Sequence, residues 1–131
     1  MPPKKILKLY YLSTCSTCAR IMKDLKIKNY PFELQDIKTQ PITEQQLDEM
    51  QKMTGSYLAL FSKVALKFRG WGLNEMELSE QDHRKYILQE YTFLKRPVFI
   101  IGKKIFVGNA PKTIAAVASE LRLLSSWDPA V

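Results

Sequence analysis

Lys5-Ile6-Leu7-Lys8-Leu9-Tyr10-Tyr11-Leu12-Ser13-Thr14-Cys15-Ser16-Thr17-Cys18, running on into Ala19 to Lys28, is the stretch on which the reading of this chain turns. Lys5 to Leu12 alternates lysine with apolar positions and closes on Tyr10-Tyr11-Leu12, as a strand does whose end becomes buried. From Cys18 onward Ile21, Met22 and Leu25 recur at helical spacing, and Asn29-Tyr30-Pro31 stops that helix. Phe32 to Ile37 alternates with period two again, so the segment reads as a β-α-β unit. Such a crossover joins parallel strands right-handedly, which puts Cys15 and Cys18 at the carboxyl end of the first strand.

Downstream the pattern changes. Thr43 is placed to cap a helix with Leu47, Met50 and Met53 inward and Gly55 as its end. Ser56 is placed to cap a second, carrying Tyr57, Leu60, Phe61, Val64 and Phe68 on one face and leaving at Gly70-Trp71-Gly72. Ser79 to Asp82 resembles a capping box opening a third, with His83, Ile87 and Tyr91 as its stripe. Residues 43 to 91 are therefore expected to be all helical. Pro97 to Ile101, the turn Gly102-Lys103-Lys104, and Ile105 to Gly108 read as a tight antiparallel hairpin. Pro111 then opens a last helix whose face is Ile114, Val117, Ala118, Leu121 and Leu124. Residues 125 to 131 read as a frayed tail.

With 131 residues, 46% of them hydrophobic and 25% charged, the chain suits one globular domain that needs no disulfide staple. No run approaches the roughly 20 apolar residues of a bilayer span, and Met1-Pro2-Pro3-Lys4-Lys5 does not lead into an export sequence. The expected compartment is the cytoplasm, with no membrane attachment. There a permanent disulfide is uncommon, whereas a C-x-x-C pair that cycles is one of the few reasons to find two such cysteines. The net charge of +7 suits nucleic acid, an acidic protein surface or an anionic small molecule. Its lysines are scattered and no base-stacking aromatic motif accompanies them, so direct nucleic-acid binding is not expected.

A thiolate, not a thiol, attacks a disulfide, and free cysteine with a pKa of about 8.5 is only a few per cent ionised at neutral pH. A sulfur just before a helix faces unpaired N–H groups and the positive end of the dipole, which makes Cys15 the better-placed nucleophile. Cys18, one turn on, is placed to resolve a mixed disulfide on Cys15 and release the reduced product. Two other readings remain open at this point. C-x-x-C is also half of a zinc site, although with His83 far away no metal is expected, and two buried inert cysteines could simply pack a helix. Arg96-Pro97 is the second informative spot, because a proline opening a strand can be cis and can turn its neighbours toward an adjacent loop. Arg96 would then offer a guanidinium fork to an anionic substrate or to the thiolate.

The order of elements, the C-x-x-C after the first strand, the helical insertion, and Leu94-Lys95-Arg96-Pro97-Val98-Phe99-Ile100-Ile101 followed by Phe106-Val107-Gly108 together resemble the arsenate reductase (ArsC) and Spx family. The resemblance covers about Lys5 to Leu124. It implies a thioredoxin-like α/β fold, β-α-β then β-β-α with a mixed four-stranded sheet, interrupted by an all-helical insertion between the second and third strands. It also implies a catalytic or redox-sensing Cys15 and an Arg96-Pro97 pair, cis, facing it. Of the three arginines that hold oxyanion in the glutaredoxin-coupled reductases, only the one before the proline is matched, by Arg96; Ser62 and about Gly108 stand at the other positions. Those enzymes use a single cysteine, whereas here Cys18 supplies an internal partner. The expectation is a thiol–disulfide oxidoreductase acting on a small oxidised or glutathione-linked substrate, with no bound cofactor. Its reductant would be glutathione or another thiol, and glutaredoxin or thioredoxin its protein partner. The Spx branch, which carries C-x-x-C as a redox switch, implies the alternative: a transcription regulator that binds RNA polymerase.

Overall fold

The computed structural model describes residues 6–125; the expected tail beyond residue 125 lies outside them. The chain separates into two compact units, one made of the described residues up to Asp36 together with those from Arg96 onward, the other Ile37–Lys95. The first unit contains the whole sheet. Its strands are β1 (Leu7–Tyr11), β2 (Glu33–Asp36), β3 (Val98–Ile101) and β4 (Lys104–Val107), in the order β2-β1-β3-β4. β1 runs parallel to β2 and antiparallel to β3, and β3 antiparallel to β4, the mixed thioredoxin-like sheet that the β-α-β and β-β-α patterns require.

Helices α1 (Ser16–Asp24) and α5 (Pro111–Ser125) cover one face. Ile21 from α1 and Val117, Leu121 and Leu124 from α5 meet Leu9, Phe99 and Ile101 of the sheet in one buried cluster. Period-two strands and period-3.6 helices thereby send their apolar sets to the same layer. Gly108, with φ of 92°, turns the chain out of β4 while its N–H donates to the Pro97 carbonyl at 2.9 Å. Left-handed backbone of this kind is what glycine supplies without steric cost.

β2 departs from its sequence pattern. Alternation puts Leu34 inward and Gln35 outward, yet Leu34 is 46% exposed and Gln35 only 2%. β2 is an outer strand, so Leu34, though opposite the fully buried Leu9, lies beyond the cover of the core cluster. Gln35 instead shares the face of its partner Tyr10, where Lys8 also pairs with Glu33 at 3.0 Å.

The second unit holds α2 (Glu44–Thr54), α3 (Leu66–Gly70) and α4 (Glu80–Gln89). Both α2 and α4 open with complete capping boxes, Thr43 with Gln46 and Ser79 with Asp82. Arg84 of α4 grips Asp48 of α2 with two hydrogen bonds, at 2.8 and 3.2 Å, and the Tyr57 hydroxyl donates to the same carboxylate at 2.6 Å. The helix expected from Ser56 to Gly70 does not run through. The Ser56 hydroxyl accepts from the Ala59 N–H at 3.1 Å, but only a short 3-10 turn, Leu58–Leu60, follows, and Phe61 is extended. The reason is competition for backbone partners: Phe61 bridges Leu94, the Ser62 N–H donates to the Phe93 carbonyl at 2.7 Å, and the Lys95 N–H donates to that of Leu60 at 2.8 Å. Val64, expected on the inner face, is 92% exposed.

Phe99 is fully buried and meets Phe32 edge-on at 6.1 Å. Phe99→Ala should therefore lower the unfolding free energy by about 3–5 kcal/mol, read from the urea midpoint at unchanged slope.

Candidate functional site

The turn between β1 and α1 is fixed at both ends. The Cys15 N–H donates to the Leu12 carbonyl at 3.0 Å, and the Ser13 N–H donates to Oδ1 of Asp36, at the end of β2, at 3.1 Å. Cys15 is thereby held extended, φ −93° and ψ 111°, as the N-cap of α1, and its own carbonyl accepts from the Ala19 N–H at 3.2 Å. This is the position where a side chain faces the unpaired amides of the first turn. Cys15 is half-buried and Cys18 is fully buried, both as free thiols.

The two sulfurs ionise in opposite directions. Partial burial works against the Cys15 thiolate, but it is outweighed by the Cys18 amide and thiol, the Thr17 amide and the positive charge of Arg96, and the Cys15 pKa lies below the ordinary cysteine value. No capping hydrogen bond of full geometry closes on that sulfur, so the amides act on it as oriented dipoles while leaving it open to a reactant. Cys18 is pushed up to about 11, chiefly by burial and further by the sulfur of Cys15, against the opposing pull of the Leu12 backbone and Arg96.

Arg96 reaches this place through the sheet register. Tyr10 pairs with Val98, so continuing the antiparallel ladder sets Pro97 and Arg96 beside Tyr11 and Leu12, next to the cysteine turn. The Arg96-Pro97 peptide is cis and Pro97 is buried. Cys15, Cys18, Arg96 and Pro97 are thus drawn together within one unit. His83 belongs to the other. It is 6% exposed, 4.9 Å from the Phe61 ring and 3.8 Å from the Glu80 carboxylate, and burial lowers its pKa. Ser62 is buried in that same unit.

Sequence reasoning missed the contributions of Asp36, Leu12 and the Thr17 amide. Backbone groups carry no sequence signal, and Asp36 acts from another strand; only the short reach from β1 to a capping position could have flagged the turn. Among the described residues no group of three or more His, Cys, Asp or Glu side chains is placed to hold a metal ion, and no helix is long and apolar enough to cross a membrane.

The ArsC family model matches residues 10–117 of this sequence. The global transcriptional regulator Spx 1 of Bacillus cereus is 29% identical over 104 residues, which cover 76% of this chain and 77% of the regulator. Among solved structures, an arsenate reductase from Vibrio cholerae matches with a TM-score of 0.72 at 12% identity, over 88% of this chain and 99% of that one. A possible arsenate reductase from Streptococcus mutans matches with a TM-score of 0.63 at 23% identity, over 78% and 88%. At these identities the solved structures speak for the fold.

Because the folded environment favours the Cys15 thiolate, alkylation of Cys15 by iodoacetamide should fall with decreasing pH through a midpoint below that of the same residue in urea. Arg96→Gln should move the midpoint upward, as loss of a nearby cation disfavours the anion. A midpoint equal to the denatured control would contradict the site's electrostatics.

Proposed function

This chain belongs to the ArsC family, and from that premise we propose that it is a thiol–disulfide oxidoreductase with Cys15 as nucleophile, Cys18 as resolving thiol and Arg96-Pro97 as the substrate-binding edge. One observation carries the reading: two free sulfurs one turn apart at the start of α1 that shift each other's ionisation, the more exposed one toward its anion and the buried one toward its proton.

The cycle follows from that asymmetry. The Cys15 thiolate attacks one sulfur of an oxidised substrate R–S–S–R′, forming the Cys15–S–S–R bond while R′S⁻ leaves and takes up a proton. Cys18 then gives up its proton and attacks Sγ of Cys15, releasing RS⁻. Two electrons have passed to the substrate, and the protein is left with a Cys15–Cys18 disulfide. Two equivalents of glutathione or another thiol, or one dithiol such as reduced thioredoxin, return them. Arg96 serves by holding an anionic part of the substrate and by lowering the energy of the attacking sulfur. A small oxidised or glutathione-linked compound is the substrate class, and the reducing cytoplasm is the compartment in which such a cycle is replenished. Arsenate is the weaker choice, since of the three arginines that hold oxyanion in the reductases this chain resembles, the sequence matches only the one before the proline, Arg96.

A second reading is favoured by the likeness to Spx 1: the same disulfide switches a regulator whose partner is RNA polymerase. The readings separate experimentally. Under the first, Cys15→Ser abolishes turnover of hydroxyethyl disulfide and Cys18→Ser accumulates a mixed disulfide visible by mass spectrometry; full activity in both variants would refute it. Under the second, purified RNA polymerase is retained by the immobilised protein to different extents in dithiothreitol and in diamide, and equal or absent retention would dismiss it.

A further inference from the structure

A groove of about 1120 Å³ lies between α1, the turn that ends it, and the outer strand β2. Met22, Phe32 and the exposed Leu34 give it an apolar lining, and Lys23, Lys26 and Lys28 are exposed along it. Among the described residues, none that lines it is acidic. Among the described residues, none of these three lysines is held in an ion pair. Leu12 and Ser13, which lead into Cys15, line it as well.

A second observation singles out the same place. Lys26 has φ 54° and ψ 49°, the one left-handed residue other than glycine among the described residues. Its N–H donates to the Lys23 carbonyl at 3.1 Å and its carbonyl accepts from the Asn29 N–H at 2.9 Å, so the conformation is fixed. Position for position, glycine would close this turn at lower cost, as it does at many helix ends. A lysine kept there, with its charge beside an apolar groove, is strain retained at a site rather than relieved.

The occupant follows from shape and charge. Sites for small ligands enclose about 70–90% of the ligand surface, whereas this groove is bordered by exposed residues and runs beside a sheet edge. An extended chain suits it better. We propose that the groove docks an acidic polypeptide segment bearing apolar side chains, so that a disulfide carried by a protein is presented to Cys15 as a second substrate class beside the small compounds. The inference rests on the thiol-exchange reading for its purpose, while occupancy of the groove depends on neither cysteine. Apolar side chains of the segment would lie on Met22, Phe32 and Leu34, and its carboxylates would meet the lysines, whose long-range attraction also speeds encounter.

The test is fluorescence anisotropy of the full chain with a labelled synthetic peptide alternating glutamate with leucine and phenylalanine. The expected result is saturable binding, weakened by at least about fivefold when lysine replaces each glutamate, as electrostatic complementarity demands. Lys26→Gly and Lys23→Glu should each weaken it by about threefold or more. Lys26→Gly should also melt a few degrees higher, since it relieves left-handed backbone, which excludes unfolding as the cause. Cys15→Ser should bind as the unaltered protein does. Equal affinity in Lys26→Gly, equal affinity for the lysine peptide, or binding of a small aryl carboxylate alone would each overturn the proposal. If the peptide binds as expected while the unaltered protein fails to reduce hydroxyethyl disulfide, the groove stands and the exchange reading falls.

Discussion

At the half-buried sulfur at the amino end of α1, backbone amides stand in for the water that burial removes and shift the balance toward the anion. Burial alone would push the Cys15 thiol up, and the amides of Thr17 and Cys18, the Cys18 thiol and the Arg96 charge reverse that sign. Each pKa unit gained in this way is worth about 1.4 kcal/mol of preference for the anion. The amides are available because Cys15 is extended at the N-cap and its side chain does not close a full capping bond. A serine or aspartate there would cap the helix and consume the donors that a reacting sulfur needs.

That local arrangement depends on long-range structure at two points. Ser13 is tethered to Asp36 on the neighbouring parallel strand, and the β1–β3 register delivers Arg96 beside the turn. Both supports come from the sheet. The insertion Ile37–Lys95 enters the chain between β2 and β3, after Asp36 and before Arg96, so it interrupts the sequence without interrupting the ladder. The split explains how the same sheet carries a site whose residues lie near the start and near the end of the chain.

Much of this was legible from sequence because it is written in periodicities. Lys5 to Leu12, Phe32 to Ile37 and Pro97 to Gly108 carry strand patterns, and Thr43 and Ser79 carry helix starts, and among the described residues each meets its element, the first as β1, Leu7–Tyr11. What failed to show was set by position in the fold. Leu34 keeps the face of Leu9 yet stays exposed while Gln35 on the opposite face is buried, since β2 is an outer strand, and no pattern within four residues announces an edge. The helix after Ser56 stops because Leu94 recruits the backbone of Phe61, a competition invisible in local propensity. Arg96 was marked by Pro97 and by family resemblance, whereas Asp36 and the amide donors were unmarked. Lys26 illustrates the same limit, since nothing in Leu25-Lys26-Ile27 betrays a left-handed residue. Local rules tend to break at sites that do something else, and two of these breaks, Leu34 and Lys26, border one groove.

The raised pKa of Cys18 looks at first like an obstacle to the resolving role proposed for it, because a thiol pushed up to about 11 is almost wholly protonated at pH 7. Two effects offset it. An attacking group held one helical turn from its target has an effective molarity that reaches about 10⁵ M in well-oriented cases, against millimolar free thiols in a cell. Two of the influences that raise Cys18 are, moreover, the hydrogen bond to Cys15 and the charge of Cys15 itself. Once Cys15 is tied up in a mixed disulfide its negative charge is gone, and Cys18 keeps the pull of the Leu12 backbone and of Arg96 with burial alone to oppose it. In the proposed cycle the pair would therefore hold its second proton while the first sulfur is free and release it more readily after the first has reacted, an order set by electrostatics.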